Sequence, residues 1–365
     1  MDLKPIQRKA RQSQTPLPWD AENQDDFTPV QLLFGTDRQY HDRDDRPTFT
    51  GDRGRVLTLG SVVVTIPRTH DLGAIERPSS YLFGLITQSE DEREHIVMRA
   101  PAVLSEEEFT AELRTIVNKS VAKKQAFVFV HGFNVTFDEA AWRTAQIAYD
   151  LEFDGAAVFY SWPSRGNPEA YVYDQDSARQ ARDTLQEFLE LVRFQSGADV
   201  VHLIGHSMGT NPLMEAVSEM WEEQPADDAR PIFNQIILAA ADIDRDVFFD
   251  LAEQVDGSAE ALTLYASAKD RALELSEAIR MGSAFRAGHV SDAGPTVHDA
   301  VDTIDATDLN TSYFALGHSD YAEHVELMTD IRELFAKGTR PPDARTEKMM
   351  PRPGADDHTY WVYRP

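Results

Sequence analysis

The chain of 365 residues is expected to fold as an α/β protein: a doubly wound, mostly parallel sheet with N-terminal antiparallel edge strands and no large lid domain. Three observations predict this. From residue 105 onward, helix-like and strand-like segments alternate, and strands separated by helices need crossovers that produce a parallel sheet covered on both faces. Residues 55–101 instead hold short β-rich pieces punctuated by Pro and Gly, the pattern of antiparallel strands at a sheet edge. Only about twenty residues separate Ala240 from Leu262, too few for the helical lid that many sheets of this kind carry late in the chain.

The elements follow in order. Residues 1–50 are polar, with Pro16, Pro18, Pro29 and Pro47, and offer only Val30 to Phe34 as a short strand; they are expected to form an N-terminal arm, partly irregular. The main domain is placed at 51–337, and 338–365 as an irregular C-terminal tail. Edge strands are predicted at Val62–Ile66, Tyr81–Ile86 and His95–Met98. Ser105 and Glu108 form a capping box for a helix to about Val121, and Thr136 with Glu139 forms another for a helix from Phe137. The parallel strands are Phe127–Val130, Ala156–Trp162, Val200–Ile204, Ile236–Ala240, Leu262–Ala266 and Val301–Ile304. Between and after them, helices are predicted over Gln175–Phe194, Met208–Glu223, Ala272–Met281 and Tyr321–Ala336.

Composition narrows the function classes. With 62 acidic and 35 basic residues the net charge is −27, which repels phosphate backbones and anionic lipid heads, so neither nucleic acid nor a membrane is an expected partner. There is no cysteine, hence no disulfide, thiolate metal site or cysteine nucleophile. Asp242-Ile243-Asp244 and Asp356-Asp357-His358 lack the spacing of a metal site, and neither a metal nor a cofactor is expected. The start has no apolar signal region and no stretch is long enough to span a bilayer; a cytoplasmic location is expected, although a chain trimmed of an export signal would read the same.

Ligands of open α/β sheets bind beyond the carboxyl ends of the strands, and there the chemistry collects. Gly205-His206-Ser207-Met208-Gly209 follows the Val200 strand directly, and a serine with glycine two residues to either side can occupy the tight strand-to-helix turn that lifts its hydroxyl off the sheet. Ser207 is therefore the candidate nucleophile. Asp270 follows the Leu262 strand and His318 follows the last strand, giving the order Ser, Asp, His that this sheet imposes on an acyl-transfer triad. His318 would serve as base and then acid, and Asp270 would orient it. Asp242 and Asp244, after the Ile236 strand, compete with Asp270 for that place. The backbone N–H groups of Phe133 and Met208 are the candidate oxyanion donors, with His131 shaping the first of these loops. Trp162 and Tyr171, on the loop after the Ala156 strand, are candidates either for packing or for a substrate-binding wall. His202 reads as a satisfied core residue and His206 as packing in the elbow.

The segments Phe34–Arg38, Val64–Pro67, Phe129–Asn134, Tyr160–Pro163, Gly205–Gly209, Tyr265–Asp270 and Gly317–Ser319 together resemble the α/β-hydrolase superfamily, and within it a bacterial group of unknown function. The serine elbow alone points to the superfamily; His-Gly-Phe-Asn, Tyr-Ser-Trp-Pro and Tyr-x-Ser-x-x-Asp in this order point to the smaller group. The resemblance implies the fold and a serine-hydrolase site and assigns no substrate. The chemistry expected is an acyl-enzyme at Ser207 acting on a small-molecule carboxylic ester with a short or medium acyl chain. Thioesters, lactones and amides use the same machinery, and a non-catalytic binding module is the competing class.

Overall fold

The computed structural model describes residues 26–43, 46–78, 89–225, 230–269, 285–309, 321–355 and 358–364. Twelve described strands form one sheet: β1 (Phe27–Arg43), β2 (Arg46–Pro67), β3 (Val97–Met98), β4 (Ala102–Leu104), β5 (Gln125–Val130), β6 (Ala156–Ser161), β7 (Val200–His206), β8 (Phe233–Ala239), β9 (Ala259–Ala266), β10 (Val301–Asp305), β11 (Met349–Pro353) and β12 (Thr359–Tyr363). Their spatial order is β11-β12-β10-β9-β8-β7-β5-β6-β1-β2-β3, with β4 also on β2. All six strands predicted as parallel pair in parallel, from β6 to β10; β1 and β12 extend the parallel run at its two ends, and the antiparallel strands β2, β3, β4 and β11 lie beyond them. The serine elbow therefore sits at the end of a central strand, β7, held between β5 and β8.

Side chains of successive strand residues point to opposite faces, and here they feed two separate cores. Val128, Val130, Val158 and Leu203 meet α1 (Glu106–Val117), α4 (Arg182–Gln195), α5 (Thr210–Glu222) and α6 (Arg245–Gln254). Phe127, Phe129, Phe159 and Ile204 meet α2 (Phe137–Asp150) and α7 (Tyr321–Lys337) on the other face. Both predicted capping boxes form: Ser105 with Glu108 starts α1, and Thr136 with Glu139 starts α2. The connection from β8 to β9 carries α6 alone, as its length requires.

Three expectations need correction. The arm placed at 1–50 is not separate from the body where it is described: β1 runs for 17 residues, lies between β2 and β6, and pairs in parallel with β6 from Leu32 to Thr36. The boundary at 50/51 thus falls inside β2. The tail at 338–365 is not irregular throughout, since β12 adds in parallel to β10 and β11 closes that edge antiparallel to β12; Pro351 and Pro353 are tolerated because β11 is an edge strand. The helix predicted over Gln175–Phe194 is two, α3 (Tyr171–Gln180) and α4, divided at Ala181, so Tyr171 opens a helix where a loop was expected. The strand predicted at Tyr81–Ile86 and the helix at Ala272–Met281 lie outside the described residues.

Candidate active site

Ser207 follows β7 without an intervening residue, begins a 3-10 turn through Gly209, and hands the chain to α5. Its φ is +49°, the left-handed region that costs a non-glycine residue on the order of 1–3 kcal/mol and persists where its surroundings impose it. The surroundings are tight. A Cβ on Gly209 would stand 2.1 Å from the carbonyl oxygen of His131, and one on Gly132 would stand 2.9 Å from Ser207 Cβ. Glycine at these two positions lets the elbow and the loop after β5 touch. The Ser207 carbonyl is itself held, accepting from Thr210 Oγ1 at 2.6 Å and from the Asp242 N–H at 3.2 Å.

The loop after β5 carries Phe133, the oxyanion candidate, and is fixed from below. His131 is buried; its Nδ1 is 2.8 Å from the Gly132 carbonyl and its Nε2 lies 3.3 Å from Arg38 Nη2 and 3.2 Å from Ser161 Oγ. Burial, followed by the nearby Arg38 charge, holds the His131 pKa well below the usual imidazole value. Trp162 stacks on His131 at 4.8 Å and donates its indole N–H to the His131 carbonyl at 2.7 Å. It is fully buried beneath the loop, so the packing alternative describes its contacts. Asp174 ties this loop to the next: it accepts from Ser164 Oγ at 2.6 Å, Arg165 N–H at 2.9 Å and Asn134 N–H at 3.3 Å. Burial raises its pKa against those hydrogen bonds.

Tyr171 lies beside Phe133, ring edge to face at 5.1 Å, and donates its hydroxyl to Asp242 Oδ2 at 2.8 Å. Asp242 Oδ1 pairs with Arg286 Nε at 3.0 Å, both side chains being buried. The carboxylate weighed against Asp270 is thus engaged by a guanidinium and a phenol while its backbone braces the elbow. Asp244 caps α6 through the Asp246 N–H at 3.0 Å. Asp270 and His318 lie outside the described residues; β9 leads toward the first through Ser267, and β10 lies upstream of the second.

Two other histidines are placed. Burial, with Arg143 second, lowers the His206 pKa to about 3, so at neutral pH it stays uncharged and is a poor match for a general base. His202 is a correction: it is buried and stacked on Phe335 at 3.9 Å, but neither ring nitrogen has a hydrogen-bond partner, and burial takes its pKa to about 3. It is a core residue of the stacked kind, unsatisfied in hydrogen bonding.

Arg38 and Ser161 lie in segments that carry the family resemblance, but neither they nor Asp174 were given a role at the site by the sequence. Arg38 and Ser161 sit at the carboxyl ends of the β1 stretch and the β6 strand that pair in parallel, so the filter used for the other strands finds both once β1 is placed. Among the described residues no group of three or more His, Asp or Glu side chains is arranged to hold a metal, and no helix is long and apolar enough to cross a membrane. A cavity of about 180 Å³, lined by Asp256, Glu260, Asp299 and Arg340 among others, lies at the amino ends of β9 and β10, away from Ser207.

No curated protein matches the chain. It is similar to the crystal structure of the "putative cell surface hydrolase from Lactobacillus plantarum WCFS1", at 12% identity and a TM-score of 0.35, over 61% of this chain and 96% of that one. At that distance the likeness has no bearing on function. Residues 105–336, more than half of the chain, match the family described as "Alpha/beta hydrolase of unknown function (DUF900)", and the chain belongs to that family.

Proposed function

We propose that the protein is a serine hydrolase that forms an acyl-enzyme at Ser207 and acts on small-molecule carboxylic esters with short or medium acyl chains. The observation that carries the reading is the left-handed backbone of Ser207 at the carboxyl end of the central strand, pressed against Gly132 of the loop after β5. Strained backbone of this kind persists where function selects it, and an ordinary helix cap has no need of it. In the proposed chemistry His318 takes the Ser207 proton as the hydroxyl attacks the carbonyl, and returns it to the leaving alcohol; Asp270 orients the imidazole. The amides of Phe133 and Met208 receive the oxyanion, each donor worth about 3–4 kcal/mol in the transition state. Water then attacks the acyl-enzyme by the same route.

Tyr171 and Phe133 supply one wall of the acyl or alcohol pocket, with Trp162 supporting it from beneath. A single helix between β8 and β9 leaves little to enclose a long acyl chain, which favours the shorter esters. The test is covalent labelling with a fluorophosphonate and location of the adduct by mass. The expected result is one adduct on Ser207, absent in Ser207→Ala and slowed in His318→Ala. Folded protein that takes no label would instead indicate a binding module. Initial rates on acetyl, butyryl, octanoyl and palmitoyl esters of one chromogenic alcohol are expected to peak at or below octanoyl.

A further inference from the structure

Arg38 is fully buried, and each of its five N–H donors meets a neutral acceptor. Nε donates to Ser161 Oγ at 2.8 Å, Nη1 to the carbonyls of Ser164 at 2.7 Å and Thr50 at 3.3 Å, and Nη2 to the Val135 carbonyl at 2.7 Å and toward His131 Nε2 at 3.3 Å. A guanidinium can only donate, so the His131 Nε2 that it faces must carry a lone pair. Ser161 Oγ, already accepting from Nε, turns its own proton to the same nitrogen at 3.2 Å. The imidazole proton is left on Nδ1, where it donates to the Gly132 carbonyl at 2.8 Å. That bond fixes the peptide between Gly132 and Phe133. In a trans peptide the C=O and N–H point in opposite directions, so the Phe133 N–H is turned away from the imidazole, within a segment that abuts Ser207.

We propose that Arg38 is a positioning residue for the oxyanion-binding amide of Phe133, acting by fixing the tautomer of His131. This rests on the serine-hydrolase reading. Arg38 touches no reacting atom; it determines which way an amide points, and a misaimed donor forfeits stabilisation in the transition state while leaving ground-state binding intact.

The experiment compares wild type, Arg38→Gln and Ser161→Ala by steady-state kinetics on a chromogenic acetyl ester, with melting temperatures. In parallel, ¹⁵N-histidine spectra are recorded, the His131 signals being assigned by difference from His131→Gln. The wild type is expected to show a protonated Nδ1 and a bare Nε2. Arg38→Gln is expected to lose about 100-fold in kcat with KM held within about threefold, and to show a mixture of tautomers. Ser161→Ala is expected to move both readouts the same way by a smaller step, and it decides the matter alone if Arg38→Gln does not fold. A folded variant with wild-type kcat and an unchanged tautomer, or a loss confined to KM, overturns the proposal. A wild type that neither labels nor turns over ester overturns the hydrolase reading together with this one, whereas an active wild type indifferent to both substitutions overturns this one alone.

Discussion

Arg38 and His70 are both buried cations, and the protein accommodates them in opposite ways. Arg38 lies under the loops after β5 and β6, ringed by carbonyls, a hydroxyl and a neutral imidazole, and burial lowers its pKa to about 10, still charged. His70 lies where the segment after β2 meets the end of α2, with Nδ1 on Glu76 at 2.9 Å and Nε2 on Asp150 at 3.0 Å. Burial opposes its charge, but those two carboxylates outweigh it and raise the pKa to about 9. Asp150 also accepts from the Gly73 N–H at 2.8 Å and from Gln146. A cation among dipoles orients them; a cation between two carboxylates fastens the parts that carry them. In the proposed reading the first arrangement serves geometry at the candidate site; the second holds distant segments of the scaffold together, and the two should respond differently to damage.

The largest separation is expected from Asp150→Ala, which leaves His70 half-paired in a buried setting. Urea denaturation should show a loss of about 3–5 kcal/mol in stability, with kcat per folded molecule unchanged. Gly209→Ala should lower kcat per folded molecule as well as stability. Its new methyl would meet the His131 carbonyl oxygen at 2.1 Å and push the elbow away from the loop after β5, and a displacement of about 1 Å costs about 100-fold in kcat; fluorophosphonate labelling rates would read it.

Titration sharpens the contrast further. The His70 pKa in the folded protein, about 9, exceeds the unfolded value near 6.5. The stabilisation from its charge is therefore fully present below about pH 6.5 and lost as pH rises through about 9. Melting temperatures between pH 6 and 10 should fall across that window in the wild type and flatten in His70→Gln. Trp162→Phe keeps the ring against His131 and removes the N–H, leaving a buried carbonyl short of a donor, for about 1–3 kcal/mol of stability. The smallest effect is assigned to Thr136→Ala, the cap of α2, at about 1 kcal/mol by urea midpoint.

What could be read from the sequence follows the range of the interactions involved. The capping boxes of α1 and α2 are three residues long and form as expected. The apolar runs of β5 and β7 bury nearly every side chain, as strands covered on both faces do. Of β1 only Val30 to Phe34 was legible, because its outer half, Asp37 to Arg43, is polar and takes its strand form from pairing with β2, with bulges near Arg38 that break any regular alternation. β11 escaped because two of its five residues are proline. Nothing local marks the division at Ala181, where neither Gly nor Pro is present. At the site, Ser207 announced itself by a five-residue pattern, whereas the Arg38 contacts reach residues more than 90 positions away, such as Ser161 and His131. Asp270 and His318 were named from chain order, and both fall outside the described residues.

The insertion of β1 between β6 and β2 sets evolutionary and physical borders at odds. The family match begins at residue 105, yet the sheet at that point already leans on residues 27–67. A fragment cut at the matched limits would strip the flank of β6, leaving a row of unpaired amides and carbonyls ready to recruit another chain. It would also lack the guanidinium beneath the loop after β5. Any minimal soluble version should accordingly keep the N-terminal ribbon, and an insoluble product from residues 105–336 alone would be a consequence of architecture.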